Sequence, residues 1–112
     1  MYQYRADVIR IVDGDTLHLD VDLGFDIRRA DTFRLYGINA PELSTAEGLA
    51  AKDWLTDQLA GGIDMVTTHK DTREKYGRYL GTLWVDGVNI NEAMVEAGHA
   101  VPYSGGSRTI EQ

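Results

Sequence analysis

Apolar and polar positions alternate most cleanly over residues 16–23, "TLHLDVDL". Leu17, Leu19, Val21 and Leu23 fall on one face and His18, Asp20 and Asp22 on the other. A period of two predicts a half-buried strand. The preceding "YRADVIRIV" carries β-branched residues with partial alternation and predicts another strand, stopped at "DGD". "LGFD" is a turn candidate. "DTFRLYGI", residues 31–38, predicts a third strand, ended at "NAPE" because Pro41 cannot continue a ladder. The pattern then changes period. Ala51, Trp54, Leu55 and Leu59 follow the i, i+3, i+4, i+8 spacing of a core-facing helical stripe. Ser44 and Glu47 are spaced as a capping box at its start, and Gly61 and Gly62 supply its stop. "IDMVTTHK" and "YLGTLWV" return to strand, and Asp86-Gly87 is a tight-turn signal after the second of them. Asn89, with Glu92 three residues on and Gly98 beyond, brackets a short second helix, "INEAMVEA".

Three strands, a helix, two strands and a short helix is therefore the expected order. Strands so closely spaced pair antiparallel in the main. The expected fold is mainly β with helices: a small five-stranded OB-like barrel with the long helix capping one end. A chain of 112 residues is one domain. Residues 1–103 are expected to form it, with "SGGSRTIEQ", residues 104–112, as a flexible tail.

Composition narrows the picture. The 43% hydrophobic and 26% charged fractions are those of a globular chain. There is no cysteine, which excludes disulfides, thiolate metal sites and a cysteine nucleophile. The N-terminus has no long apolar run after a basic start, and no stretch approaches the length of a membrane span. The expectation is a cytoplasmic monomer without membrane contact, secreted only if a leader preceded it.

Charge is distributed unevenly. Lys and Arg total 11 against 18 Asp and Glu, a formal net charge of −7. Yet residues 70–78 hold four cations and two anions, a local +2 that leaves −9 for the remainder. The overall balance argues against a general nucleic-acid coat but permits one local basic site.

Three clusters can carry chemistry. "DGDT", Asp13 to Thr16, joins the first two strands, and taken alone it reads as a tight turn. "RLYGINAPE", Arg34 to Glu42, places an arginine inside an apolar strand. Its charge needs a partner or ligand, with Asp15 or Glu42 as candidates for a structural ion pair. "REKYGR", Arg73 to Arg78, gathers cations around Tyr76 and Gly77, and taken alone it reads as a solvated loop.

In order and spacing, "VDGDT", "FRLYGINAPE" and "KYGRYLGTLWVDGVNINEAMVEAG" together resemble the staphylococcal-nuclease-type (thermonuclease-like) domain family, over about residues 5–103. The resemblance implies an OB-fold and a calcium-dependent (Ca2+) phosphodiesterase acting on DNA and RNA. It matches Asp15 to a calcium-ligand aspartate, Arg34 and Arg78 to two phosphate-binding arginines, and Glu42 to the catalytic glutamate. Lys75 and Tyr76 match residues that hold the substrate's phosphates. The residue chemistry agrees with these roles: guanidinium forks suit phosphate oxygens, and a hard cation takes oxygen ligands.

The sequence departs from the family pattern in four places. Asn39 stands where a second calcium-ligand aspartate is usual, so the site loses a full negative charge, which the nearby Asp13 could offset. Ala40 stands where threonine is common and offers its backbone carbonyl. "PELSTAEG" enters the helix almost at once, where the family's best-known members have a longer loop. The family's last long helix is expected to be missing. The alternative reading is a catalytically inactive or weak OB-fold module that binds nucleic acid or protein. The presence of Arg34, Glu42 and Arg78 together favours the enzyme. A weaker third reading is a phosphodiesterase for small nucleotides.

Overall fold

The computed structural model describes residues 2–69 and 76–103. Its elements, in chain order, are β1 (Tyr2–Asp13), β2 (Thr16–Asp22), β3 (Arg28–Leu35), β4 (Ile38–Asn39), α1 (Ala46–Gln58), β5 (Met65–Thr68), β6 (Tyr79–Val85), β7 (Val88–Asn89), α2 (Ile90–Glu96) and β8 (Val101–Pro102). The principal sheet runs β3-β2-β1-β5-β6-β7, and β3 also pairs with β6. That last pairing closes β3, β2, β1, β5 and β6 into a five-stranded barrel, the OB-like architecture expected from the pattern. The closing pair is parallel, with Phe33 opposite Tyr79 and Leu35 opposite Gly81; the other barrel pairs are antiparallel.

The period-two face of β2 fills the barrel. Leu17 and Leu19 have no exposed surface, and Val21 is buried. Leu23 is exposed instead, because the chain leaves the ladder there. It forms a loop in which Gly24, Phe25 and Asp26 all take positive φ. The third strand begins at Arg28, three residues before the apolar pattern starts, and it ends at Leu35. Polar residues extend it: Arg28 reaches Asp20 on the adjacent β2 and Asp7 on β1 one strand further, each at 2.9 Å. Such cross-strand opposite charges favour pairing where no apolar face does.

Helix α1 buries Gly48, Ala51 and Leu55 against the barrel, with Leu59 buried just beyond it and Trp54 half-covered. Its N-cap is Thr45 rather than Ser44. The Thr45 side chain accepts from the Gly48 N–H at 2.9 Å, so the Ser44–Glu47 capping box does not form. Helix α2 starts as expected, with Asn89 capping Glu92, and Gly98 ends it at a φ of +84°. Asp86 and Gly87 both take positive φ, as a two-residue hairpin turn between β6 and β7 requires.

Asn91 of α2 locks this helix to the barrel. Its buried carboxamide oxygen accepts from Leu83 N–H at 3.2 Å, and its nitrogen donates to the carbonyls of Tyr36 and Gly81, each at 3.0 Å. The Tyr36 contact fixes the start of the bend that follows β3. Among the described residues, no helix is long and apolar enough to cross a membrane.

Candidate active site

The turn between β1 and β2 carries Asp15, and the bend after β3 carries Asn39 and Ala40. Small residues let the two approach. A Cβ on Gly14 would lie 2.7 Å from Ala40 Cβ and 3.0 Å from Ala51 Cβ, closer than side-chain carbons pack. With that space empty, Asp15 Oδ2 accepts from the Ala40 N–H at 2.9 Å. Asp15 Oδ1 accepts from Thr16 Oγ1 at 3.1 Å, and the Asp15 N–H donates to Asp13 Oδ1 at 3.0 Å. Burial, reinforced by the neighbouring Asp15 carboxylate, pushes the Asp13 carboxyl above its ordinary range.

Arg34 lies opposite Thr16 in the β2–β3 register. Its side chain, 12% exposed, is held on several sides. Nη1 donates to the Leu35 and Ile38 carbonyls at 3.1 and 2.9 Å, and Nη2 donates to Asn39 Oδ1 at 2.9 Å. Nη2 also stands 3.6 Å from Asp15 Oδ2. Of the two carboxylates that the sequence offered as partners, Asp15 is the one that pairs with Arg34; Glu42 does not. The β4–β8 pair clamps the bend, and the Tyr103 N–H donates to the Gly37 carbonyl at 2.8 Å. The Tyr103 ring thereby lies 5.1 Å from the Arg34 guanidinium carbon, a cation–π contact. The sequence offered no sign of this partner, since the contact depends on two distant segments meeting.

Arg78 precedes β6. Its Nη1 donates to Thr16 Oγ1 at 3.5 Å, and its guanidinium lies 5.5 Å from the centre of the Tyr76 ring. Thr16 thus joins Arg78 to Asp15, and Asp15 joins both to Arg34. Lys75, with Lys70 and Arg73, lies outside the described residues.

Glu42 stands apart. It is exposed, and among the described residues its carboxylate makes no hydrogen bond or ion pair. Its backbone carbonyl is held instead, accepting from the Thr45 N–H at 3.0 Å and from Thr45 Oγ1 at 2.7 Å. Asp15, Asn39, Ala40, Arg34 and Arg78 therefore form one linked group, and Glu42 lies beside the bend without touching either guanidinium. Among the described residues, no three His, Cys, Asp or Glu side chains gather as a metal cluster. The Asp15 carboxylate and the Asn39 carboxamide oxygen both face Arg34 Nη2.

A small closed five-stranded barrel with two arginines linked through Asp15 and Thr16 on its flank defines the class: an OB-like domain. The chain belongs to the staphylococcal nuclease homologue family, whose model matches residues 32–111. The match includes Arg34, Asn39, Ala40, Glu42 and Arg78, while Asp15 lies N-terminal to it. The chain is similar to an uncharacterized endonuclease of Escherichia coli, 38% identical over 97 residues that cover 86% of this chain and 59% of that protein. It is 34% identical over 109 residues to a micrococcal nuclease of Shigella flexneri, covering 89% of this chain and 59% of the relative. A thermonuclease of Staphylococcus hyicus is 27% identical over 99 residues, covering 83% and 56%. The chain thus spans less than two thirds of the length of each of these relatives.

Proposed function

We propose that this chain is a calcium-dependent nuclease that hydrolyses phosphodiester bonds of DNA or RNA. The observation that carries the reading is the run Arg34–Asp15–Thr16–Arg78, which holds two guanidinium groups around one anchored carboxylate. A phosphodiester is anionic, and charge concentrates on its non-bridging oxygens as water attacks phosphorus. Arg34 and Arg78 donate to those oxygens, and donors placed in advance lower the barrier most where charge develops. Glu42 accepts the proton of the attacking water while one P–O ester bond breaks. Among the described residues its carboxylate makes no hydrogen bond, which leaves its lone pairs open to water. Tyr76, 71% exposed beside Arg78, and Lys75 hold the flanking phosphates.

The donors available for calcium are the Asp15 carboxylate, the Asn39 carboxamide oxygen and the Ala40 carbonyl. All are hard oxygens of the kind calcium takes, and one of them carries charge, so they fit a weakly held ion. When bound, calcium neutralises phosphate charge and favours ionisation of water. Within the protein alone, Asn39 Oδ1 serves Arg34 and Asp15 Oδ2 serves Ala40 and Arg34.

The deciding experiment is degradation of a single-stranded DNA and an RNA of the same sequence, each with calcium and with chelator. Cleavage that requires calcium supports the proposal. Tight binding of either strand without cleavage would make the chain a binding module instead.

A further inference from the structure

We propose that Thr45 and Gly48, at the start of α1, are positioning residues for Glu42. The inference rests on reading Glu42 as the carboxylate that takes the proton of the attacking water. The Glu42 side chain has no hydrogen bond or ion pair among the described residues, so its own contacts do not orient it. Its placement comes from its main chain. The Glu42 carbonyl accepts from Thr45 N–H at 3.0 Å and from Thr45 Oγ1 at 2.7 Å. The same hydroxyl accepts from the Gly48 N–H at 2.9 Å, so one side chain caps the helix and grips the Glu42 peptide.

Gly48 makes this grip sterically possible. A Cβ built there would fall inside the Glu42 carbonyl group and within 2.9 Å of the Leu43 nitrogen. These obstacles are backbone atoms, which cannot rotate away as a side chain can. Glycine in a helix costs about 1 kcal/mol relative to alanine. Here it lets the helix dock on the peptide that carries Glu42. The short connection from Pro41 to Ala46 brings the two together. The first turn of α1 thus fixes where the Glu42 Cα sits, and that limits the arc its carboxylate can reach.

The test is steady-state hydrolysis of a short DNA oligonucleotide with calcium, together with thermal unfolding. Gly48→Ala, Thr45→Val and Thr45→Ser are compared, each with Glu42 intact and in a Glu42→Gln background. With Glu42 intact, Gly48→Ala and Thr45→Val should lower kcat about ten- to a hundredfold, the scale of a displacement near 1 Å. KM should stay within about twofold. Thr45→Ser, which keeps the hydroxyl, should restore the rate. With Glu42→Gln, neither change should lower the residual rate further, while each lowers the unfolding midpoint as before. Equal losses of rate in both backgrounds would overturn the proposal, as would an unchanged kcat with Glu42 intact. If Gly48→Ala does not fold, the Thr45 pair decides alone. Full activity in Glu42→Gln itself would instead overturn the reading of Glu42, and the positioning role with it.

Discussion

Arg34 and Glu42 flank the same bend and are held in opposite ways. The Arg34 guanidinium is gripped by two carbonyls, a carboxamide, a carboxylate and a tyrosine ring. Among the described residues the Glu42 carboxylate has no hydrogen bond or ion pair, and its peptide is fixed instead. The difference follows from charge and task. A half-hidden guanidinium must be satisfied in the free protein, and its remaining donors can still turn to a ligand. A carboxylate that receives a proton must keep its lone pairs open, so its precision has to come from the backbone. One consequence is that Arg34 is tied into the fold through its side chain, whereas Glu42 is tied in through its peptide.

The largest expected effect is at Glu42. Glu42→Gln should lower the rate by about two to four decades, the range of general acid–base catalysis. Because that carboxylate is exposed and has no hydrogen bond or ion pair among the described residues, stability should change by no more than about 0.5 kcal/mol. A large loss of stability, measured by denaturant titration, would break the contrast. Next come the arginines. Arg34→Ala and Arg78→Ala should each lower the rate by about two to three decades. Arg34→Ala should also destabilise by about 1–3 kcal/mol, because Asp15 and two carbonyls lose a donor. Arg78→Ala should keep the circular dichroism of the parent. Equal stability losses in the two variants would mean that Arg34 is not the more deeply built-in group.

Asn39→Asp sharpens the comparison on the metal side. It adds a charged hard ligand next to Asp15, so calcium affinity should rise in calorimetric titration. Equal or weaker affinity would mean that Asn39 serves Arg34 alone.

The smallest effect is expected from acid. His69 stacks on Tyr36, at the start of the bend, with ring centroids 3.5 Å apart and planes 9° from parallel. Its Nε2 lies 3.3 Å from Thr82 Oγ1. Burial lowers its pKa below the ordinary 6.5. An imidazole shifted that way folds best neutral. Its contribution is complete above the ordinary value and is lost as pH falls through the lowered one. Between about pH 7.5 and pH 5 the unfolding midpoint should therefore drop more for the parent than for His69→Phe, which keeps a ring but cannot ionise. Identical drops would remove His69 from the support of the bend.

How much of this could be read in the sequence varied with the range of the interaction. The hairpin at Asp86-Gly87 and the cap at Asn89 are written in adjacent residues, and both formed as expected. The start of α1 was misplaced by one residue. Ser44 and Thr45 can each cap, and the choice falls to Thr45 because the Glu42 carbonyl meets its hydroxyl. The start of β3 is not legible because residues 28–30 show no apolar alternation; Arg28 is held there by ion pairs to Asp20 of β2 and Asp7 of β1. In the site, the pairing of Arg34 with an acid followed from the cost of burying its charge. The choice of Asp15 over Glu42, and the Tyr103 ring beneath the guanidinium, depend on segments far apart in the chain.

The parallel seam between β3 and β6 has a bearing on when the site can exist. Arg34 lies within β3 and Arg78 immediately before β6, so formation of the seam brings these two guanidinium groups together. These strands are joined through α1 and β5, and contacts of such long range form only after the chain has met the entropy of closing that loop. Before the seam forms, a folding intermediate would hold at most one of the two arginines that the proposed function assigns to phosphate. On the proposed function, a nascent chain would meet nucleic acid without cutting it, and hydrolysis would report barrel closure. Followed during refolding, activity should return with the slowest phase that buries Phe33 against Tyr79, and not with the earlier β1–β2 hairpin.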